Sequence, residues 1–171
     1  DGNISVDMGS PVLQPDKIPF ITDTCAVTYT LKLASCLSTH SETISVAAVN
    51  MGNPHAVTIV DNIEHAPVNQ VGALVESHPQ FPEKVNVGFM QIVSRNRINL
   101  RVYERVVGET NACGSGACAA VVAGRMQGLL DEKVEVFLPG GSLTIEWQGD
   151  QSPVIMTGPA NRVYELSLIH I

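Results

Sequence analysis

The chain has 171 residues, 44% of them hydrophobic and 16% charged, which suits one compact globular domain rather than a disordered segment. Ten Lys and Arg against 17 Asp and Glu give a formal net charge of -7. This acidic balance argues against nucleic acid and anionic membranes as partners, because both carry phosphates. No apolar run approaches the ~20 residues of a membrane span, and no signal-peptide pattern opens the sequence. A soluble, cytoplasmic protein is expected.

Apolar residues alternate along most of the chain, and this period of two predicts half-buried strands. Further strands are expected over residues 26–33 and 56–60. A Pro-Gly-Gly-Ser turn at residues 139–142 predicts a hairpin, and a second tight turn is expected at residues 95–96. The alternating sets are Ile4, Val6 and Met8; Ile44, Val46 and Ala48; Val85, Val87 and Phe89; Ile98, Leu100 and Val102; Val134, Val136 and Leu138; and Leu143, Ile145 and Trp147.

Two segments have the pattern of a helix. Residues 67–78 carry apolar positions at helical spacing and end before Pro79. Residues 115–129 begin with small or apolar residues on every face, and a helix that is apolar all round is normally buried all round. The expected fold class is therefore α+β, a mostly antiparallel sheet wrapped around a central buried helix.

The four cysteines are Cys25, Cys36, Cys113 and Cys118. They are too sparse for a disulfide scaffold, no CxxC pair occurs, and no histidine has zinc-ligand spacing. Free thiols without a metal site are therefore expected. Cys118 lies inside the small-residue helix, where packing is its predicted role.

The segment Thr-Asn-Ala-Cys-Gly-Ser-Gly-Ala-Cys at residues 110–118 is the strongest local motif. Cys113 stands at the entry of the predicted helix, where unpaired N–H groups and the helix dipole favour an anion. This position predicts a lowered thiol pKa and a place for a carboxylate or phosphate. The alternative is a small buried residue that precedes a glycine turn.

Four other polar residues have ordinary explanations when each is taken alone. Glu104 and Arg105 close a predicted strand and fit two solvated charges, while His55 fits a loop histidine after a proline. Asn86 faces opposite the valines beside it in a strand, which predicts exposure to solvent.

Taken together and in order, the motifs resemble diaminopimelate epimerases, and the resemblance extends over residues 6–164. Val-Asp-Met-Gly at residues 6–9 and Thr-Gly-Pro-Ala at residues 157–160 fit the same family. The motifs that carry the resemblance are Gly-Asn-Pro-His-Ala-Val at 52–57, Val-Asn-Val-Gly-Phe at 85–89, Tyr-Glu-Arg-Val-Val-Gly-Glu-Thr at 103–110 and Ala-Cys-Gly-Ser-Gly at 112–116.

The resemblance implies inversion of an amino-acid α-carbon by two cysteines on opposite faces, with no cofactor and no metal. Cys113 would be one of the two acid/base groups, and His55 would serve the opposite cysteine. Backbone N–H groups of Gly114 and Ser115 would hold the reacting carboxylate and stabilise its developing charge.

The same resemblance implies a second set of contacts for the distal end of diaminopimelate, which is itself an amino acid. Glu104 would assist Cys113 and hold the distal ammonium group, and Arg105 would bind the distal carboxylate. Asn53 and Asn86 would add hydrogen bonds, so that only one end of the molecule reacts.

The sequence departs from the family in having a single Cys-Gly loop. Cys25 and Cys36 lack a following glycine loop and cannot replace the second cysteine. We therefore expect residues 1–12 to hold a strand from the end of a missing first domain and 13–158 to form the second domain. Residues 159–171 would be a tail that is atypical at its end, with self-association through residues 160–171 as a further expectation. The chain begins with Asp1 rather than Met, so residues upstream are expected, and no turnover is expected from the chain alone.

Two alternatives remain open from the sequence. One is a non-catalytic domain that binds an amino-acid carboxylate at the helix start. The other is a proline racemase or hydroxyproline epimerase of the same fold, although Asn86, Glu104 and Arg105 favour a substrate with two charged ends.

Overall fold

The computed structural model of the protein describes residues 2–33 and 43–160. Cys36 and most of the predicted tail lie outside the described residues. Within them, the chain is a mixed, sheet-dominated α+β fold with two α-helices. The strands are β1 (Asn3–Asp7), β2 (Tyr29–Lys32), β3 (Thr43–Asn50), β4 (Pro54–Ile59), β5 (Asn86–Ser94), β6 (Arg97–Glu104), β7 (Gly108–Thr110), β8 (Lys133–Leu138), β9 (Gly141–Glu146) and β10 (Ile155–Pro159), and the helices are α1 (Val68–Glu76) and α2 (Gly114–Met126).

The strands pair in the order β1-β10-β9-β8-β6-β5-β4-β3-β2, with β7 added to β6. Most neighbours are antiparallel, but β4 pairs with β5 and β6 pairs with β8 in parallel. Each parallel pair is joined by a connection that contains a helix, α1 in the first case and α2 in the second, as parallel strands require. Alternating apolar residues predict a strand without its direction, so the sequence did not indicate the parallel pairs.

Helix α2 lies in the larger of two hydrophobic clusters, and residues 116–124 are all buried. It contacts β3, β4, β5, β6 and β9. Helix α1 belongs to the second cluster, which contains Val85, Val87 and Phe89 from the chain leading into and along β5. The alternate face of β5 supplies Met90 to the cluster of α2, so both faces of this strand are covered.

Three local expectations differ from the structure. Ile4 and Val6 in β1 are 57% and 43% exposed, because no described element covers this strand, which pairs only with β10. Asn86 is 3% exposed rather than solvated, since both faces of β5 are covered. His55 lies inside β4 and is 1% exposed, whereas the sequence placed it in a loop. Neither helix of the described residues has the length and apolar character that a membrane crossing needs.

Candidate active site

Cys113 is the residue that caps the start of α2, with an extended backbone at φ -144 and ψ 103. Its carbonyl accepts the first helical hydrogen bond, from the N–H of Ala117 at 3.0 Å. The thiol leans over the first turn of the helix: a methyl carbon on Gly116 would lie 3.1 Å from its Sγ and 3.1 Å from a methyl of Val102. The glycine at position 116 therefore makes room for the thiol.

The pKa of Cys113 is raised above the ordinary value of a thiol, mainly because the side chain is buried. Hydrogen bonds from the N–H of Gly116 and the hydroxyl of Ser115 lower it, and the carboxylate of Glu104 raises it again. The sequence-based prediction of a lowered pKa is therefore wrong, because the effect of burial on the thiol is larger than the stabilisation of an anion at the helix start. At neutral pH Cys113 is a thiol rather than a thiolate.

His55 is joined to the start of α2 by a partly buried chain of polar contacts. Its Nε2 lies 3.0 Å from Oδ1 of Asn53 and 3.2 Å from Oγ of Ser115. The same hydroxyl lies 3.7 Å from Sγ of Cys113. Four of the predicted site residues are therefore brought together in one place: Asn53, His55, Cys113 and Ser115.

The imidazole of His55 is neutral. Burial, and to a smaller extent the positive charge of Arg105, lower its pKa from 6.5 to about 4. A neutral ring with a hydrogen on Nε2 can donate to Ser115 without carrying a charge into the core.

Asn86 connects the loop before β4 to the end of β6. Its Nδ2 donates to the carbonyl of Pro54 at 2.9 Å, and its Oδ1 accepts from the N–H of Arg105 at 2.9 Å. The structure thus gives Asn86 two backbone partners, in addition to the ligand contact that the resemblance implies.

Glu104 and Arg105 lie at the end of β6 and in the turn that follows it. The hydroxyl of Thr110, on the paired strand β7, donates to the carboxylate of Glu104. Nη1 of Arg105 donates to the carbonyl of Glu83 at 2.9 Å. Glu104 lies close enough to influence the pKa of Cys113, and Arg105 lies close enough to influence the pKa of His55.

The remaining predicted residues are placed as follows. Gly114 begins α2 against Met156, whose sulfur would lie 3.0 Å from an added methyl carbon. Cys118 is fully buried, and its pKa is raised to about 12 by this burial and, to a smaller extent, by the neighbouring Cys113, so its role is packing. Cys25 is exposed, and the three cysteines of the described segments are free thiols.

Sequence reasoning missed one charged residue near the site. Glu76, the last residue of α1, is 7% exposed, and its carboxylate accepts from the N–H of Val106 at 2.6 Å. No motif contains it, and a glutamate at a helix end before Ser77 resembles an ordinary surface residue. Within residues 2–33 and 43–160, no group of three or more His, Cys, Asp and Glu side chains is arranged to hold a metal ion.

Comparisons with known proteins place the chain in a family. Residues 47–163 match the family of diaminopimelate epimerase. The diaminopimelate epimerase of Thioalkalivibrio sulfidiphilus is 56% identical over 169 residues, which are 98% of this chain and 59% of that protein. The diaminopimelate epimerase of Teredinibacter turnerae is 54% identical over 164 residues, which are 96% of this chain and 57% of that protein. The chain therefore spans less than two thirds of these curated relatives.

Among solved structures, a hydroxyproline epimerase from Agrobacterium vitis has a TM-score of 0.55 at 16% identity, over 77% of this chain and 47% of that one. At this identity the likeness concerns the fold alone. The motifs around Cys113 and His55, the match over residues 47–163 and the high identity to two curated relatives lead to one conclusion. The chain belongs to the diaminopimelate epimerase family.

Proposed function

We propose that the chain forms one side of the active site of an amino-acid epimerase that interconverts LL- and meso-diaminopimelate without a cofactor. The observation that carries the proposal is the position of Cys113. Its thiol lies at the start of a buried helix with Ser115, Gly116 and Glu104 around it, in a member of this family. An epimerase needs such a group on each face of the α-carbon, and this chain supplies one face.

Cys113 acts as the proton donor in one direction of the reaction. A base on the opposite face takes the α-proton, and the electron pair of the broken C–H bond spreads into the carboxylate. The S–H bond of Cys113 then breaks as a new C–H bond forms with inverted configuration. The raised pKa supports this role, because a group that is already protonated at neutral pH can give a proton.

Two backbone donors stabilise the charge that develops on the reacting carboxylate. The N–H groups of Gly114 and Ser115 lie in the first turn of α2, where no earlier carbonyl of the helix accepts them. Their dipoles are fixed before the reaction begins, so no reorganisation is needed as the charge grows.

The distal end of diaminopimelate is held by Glu104 and Arg105, with Asn53 and Asn86 beside them. Opposite charges on adjacent residues match an ammonium and a carboxylate on one carbon. Asn86 fixes the backbone of Arg105, which supports a precise placement of the guanidinium group.

The second acid/base group belongs to a first domain that this chain does not supply. This chain covers 59% of the length of the Thioalkalivibrio relative, which supports this division. Exposed Ile4 and Val6 in β1 support our assignment of residues 1–12 to the edge of that domain, with residues 13–158 as the second domain arranged around α2. Residues 159–171 are its tail.

A chimera tests the proposal. The part of the Thioalkalivibrio relative that this chain does not match is fused to this chain, and exchange of the α-proton of LL-diaminopimelate with deuterium is followed by NMR. We expect no exchange with the chain alone, exchange with the chimera, and loss of exchange in Cys113→Ala. Cys25→Ala, which removes an exposed cysteine, is the matched control and should retain exchange.

The second candidate is a non-catalytic domain that binds an amino-acid carboxylate at the start of α2. The raised pKa of Cys113 also fits this candidate, because a binding domain needs no reactive thiol. A chimera without exchange, or one whose exchange survives Cys113→Ala, would favour it over the epimerase. Turnover by the chain alone would show that the second cysteine loop is dispensable.

A further inference from the structure

Glu76 is a buried carboxylate that the proposed chemistry does not use. It ends α1, and its Oε1 accepts from the N–H of Val106 at 2.6 Å. The same oxygen lies 3.6 Å from Nζ of Lys84, whose side chain is 49% exposed. A carboxylate removed from water is costly unless it is hydrogen-bonded, so the contact with Val106 accounts for its burial.

Val106 occupies a backbone conformation that it does not favour. Its φ is 68, in the left-handed region that β-branched residues rarely adopt. Its side chain is 78% exposed, so side-chain packing does not hold the turn in place. The hydrogen bond to Glu76 is therefore a contact that offsets the strain of this turn, together with the turn's own bond from the N–H of Val107 to the carbonyl of Glu104 at 3.1 Å.

The strained turn follows the proposed distal-end residues directly. Arg105 precedes Val106, and its own N–H donates to Asn86. Lys84, at φ 61, is also left-handed and lies two residues before Asn86. Glu76 thus contacts both Lys84, in the segment that leads to Asn86, and Val106, in the turn that follows Arg105.

The distance from α1 to β6 is fixed as well. Gly72 lies one helical turn before Glu76, on the same face of α1. A methyl carbon on Gly72 would lie 2.6 Å from the ring of Tyr103 in β6, so the helix backbone approaches this strand closely. This close approach brings the carboxylate of Glu76 within reach of Val106.

We propose that Glu76 is a positioning residue for Arg105, and that through it the protein places the guanidinium for the distal charged end of an amino-acid ligand. The identity of that ligand rests on the proposed function. The positioning of the turn rests on the hydrogen bond, the left-handed backbone of Val106 and the fixed helix.

The first test reads the turn without any ligand. Hydrogen exchange of the Arg105 and Val106 amides is measured by NMR in the full chain and in Glu76→Ala. We expect about 10-fold faster exchange at both amides, because the Val106 amide loses its acceptor and the loosened turn weakens the bond from the Arg105 amide to Asn86. Glu135→Ala removes the same charge from an exposed site and should change neither amide. Adding Val106→Gly to Glu76→Ala should restore protection at Arg105, because glycine adopts a positive φ without strain.

Unchanged exchange at both amides in Glu76→Ala would overturn the positioning role. Should that variant not fold, Glu76→Gln carries the test. Its amide oxygen still accepts from Val106 but more weakly, so about 3-fold faster exchange is expected. Exchange no faster than in Glu135→Ala would then overturn the role.

The second test separates this proposal from the proposed function. Binding of meso-diaminopimelate and of alanine to the chain is measured by NMR titration. We expect Glu76→Ala to weaken diaminopimelate binding about 5- to 10-fold and to leave alanine binding unchanged, because alanine has no distal end. Equal loss for both ligands, or no loss while the turn opens, would overturn the positioning role. If the unaltered chain binds diaminopimelate no better than alanine, the proposed function fails, while the amide exchange still decides whether Glu76 holds the turn.

Discussion

Nε2 of His55 lies 3.2 Å from Oγ of Ser115, and this contact joins strand β4 to the first turn of α2. The oxygen of Asn53, 3.0 Å from the same nitrogen, can only accept, so Nε2 carries a hydrogen. This single hydrogen is shared between Oδ1 of Asn53 and Oγ of Ser115, so Ser115 accepts from His55 and directs its own hydrogen to Sγ of Cys113. The neutral histidine thereby sets the direction of the hydroxyl group.

Ser115→Ala should make Cys113 less reactive. The hydroxyl of Ser115 is a donor that stabilises the thiolate, so its loss raises the pKa of Cys113 further. We expect alkylation of Cys113 by iodoacetamide at pH 8 to slow about 3- to 10-fold, which corresponds to one hydrogen bond. Mass spectrometry resolves each cysteine, with exposed Cys25 as the internal control. Ser115→Thr retains the hydroxyl and should restore the rate; equal rates in all three proteins would contradict the hydrogen bond.

The protein should be less stable in mild acid than at neutral pH, because His55 is buried in its neutral form. Its folded pKa of about 4 lies below the unfolded value of 6.5, so the unfolded chain binds the proton more readily. Its stabilising contribution is complete above pH 6.5 and is lost as the pH falls toward 4, by about 3 kcal/mol in all.

Urea unfolding between pH 4 and 8 measures this dependence. His55→Gln should lose less stability than the unaltered chain over that interval, whereas His65→Gln at an exposed position should follow it. Parallel curves for His55→Gln and the unaltered chain would contradict a neutral, buried imidazole.

Gly72→Ala should destabilise the protein despite the higher helix propensity of alanine. The new methyl group would meet the ring of Tyr103 at 2.6 Å, and such overpacking costs about 2 kcal/mol. The neighbouring Ala73→Gly should cost about 1 kcal/mol through helix propensity. Thermal unfolding of both variants checks the prediction, and a gain in stability for Gly72→Ala would show that α1 is free to move away from β6.

The ion pair of Arg101 with Glu109 should contribute more to the stability of the fold than an exposed ion pair does. Nε and Nη2 of Arg101 donate to the two carboxylate oxygens at 2.6 and 3.0 Å, and both side chains are about three-quarters buried. Glu109→Gln should cost about 2 kcal/mol.

Glu146→Gln, which breaks the exposed pair with Lys133, is the matched comparison and should cost less than about 1 kcal/mol. Chemical denaturation gives both values. Equal effects would mean that burial of the Arg101 pair adds nothing to its contribution.

Local patterns predicted much of the fold. The helix expected over residues 67–78 is α1 (Val68–Glu76), and the turn at residues 95–96 separates β5 from β6. These elements depend on spacing and turn residues that are adjacent in sequence. The direction in which β4 pairs with β5 depends on residues some thirty positions apart, which no local pattern contains.

The candidate site was predictable in part for the same reason. The glycine-rich loop located Cys113 at the start of α2 correctly, but its pKa depends on burial by elements distant in sequence. Burial of Asn86 likewise depends on two helices that cover β5 from both sides. Glu76 could not be found because its partner is a backbone N–H thirty residues away.

The parallel pairing of β4 with β5 places His55 opposite Asn86, and the antiparallel pairing of β5 with β6 places Tyr103 opposite Val87. The residue after Tyr103 is Glu104, so His55, Asn86 and Glu104 come from the same end of three adjacent strands. Neighbouring strands are about 4.8 Å apart, and the outer two strands are therefore separated by roughly 10 Å. Backbone hydrogen bonds maintain that width, and replacing a side chain leaves it unchanged. Strand pairing thus fixes the distance between His55, which contacts Ser115, and Glu104, which contacts Thr110. Only a shift of a whole strand would change that distance.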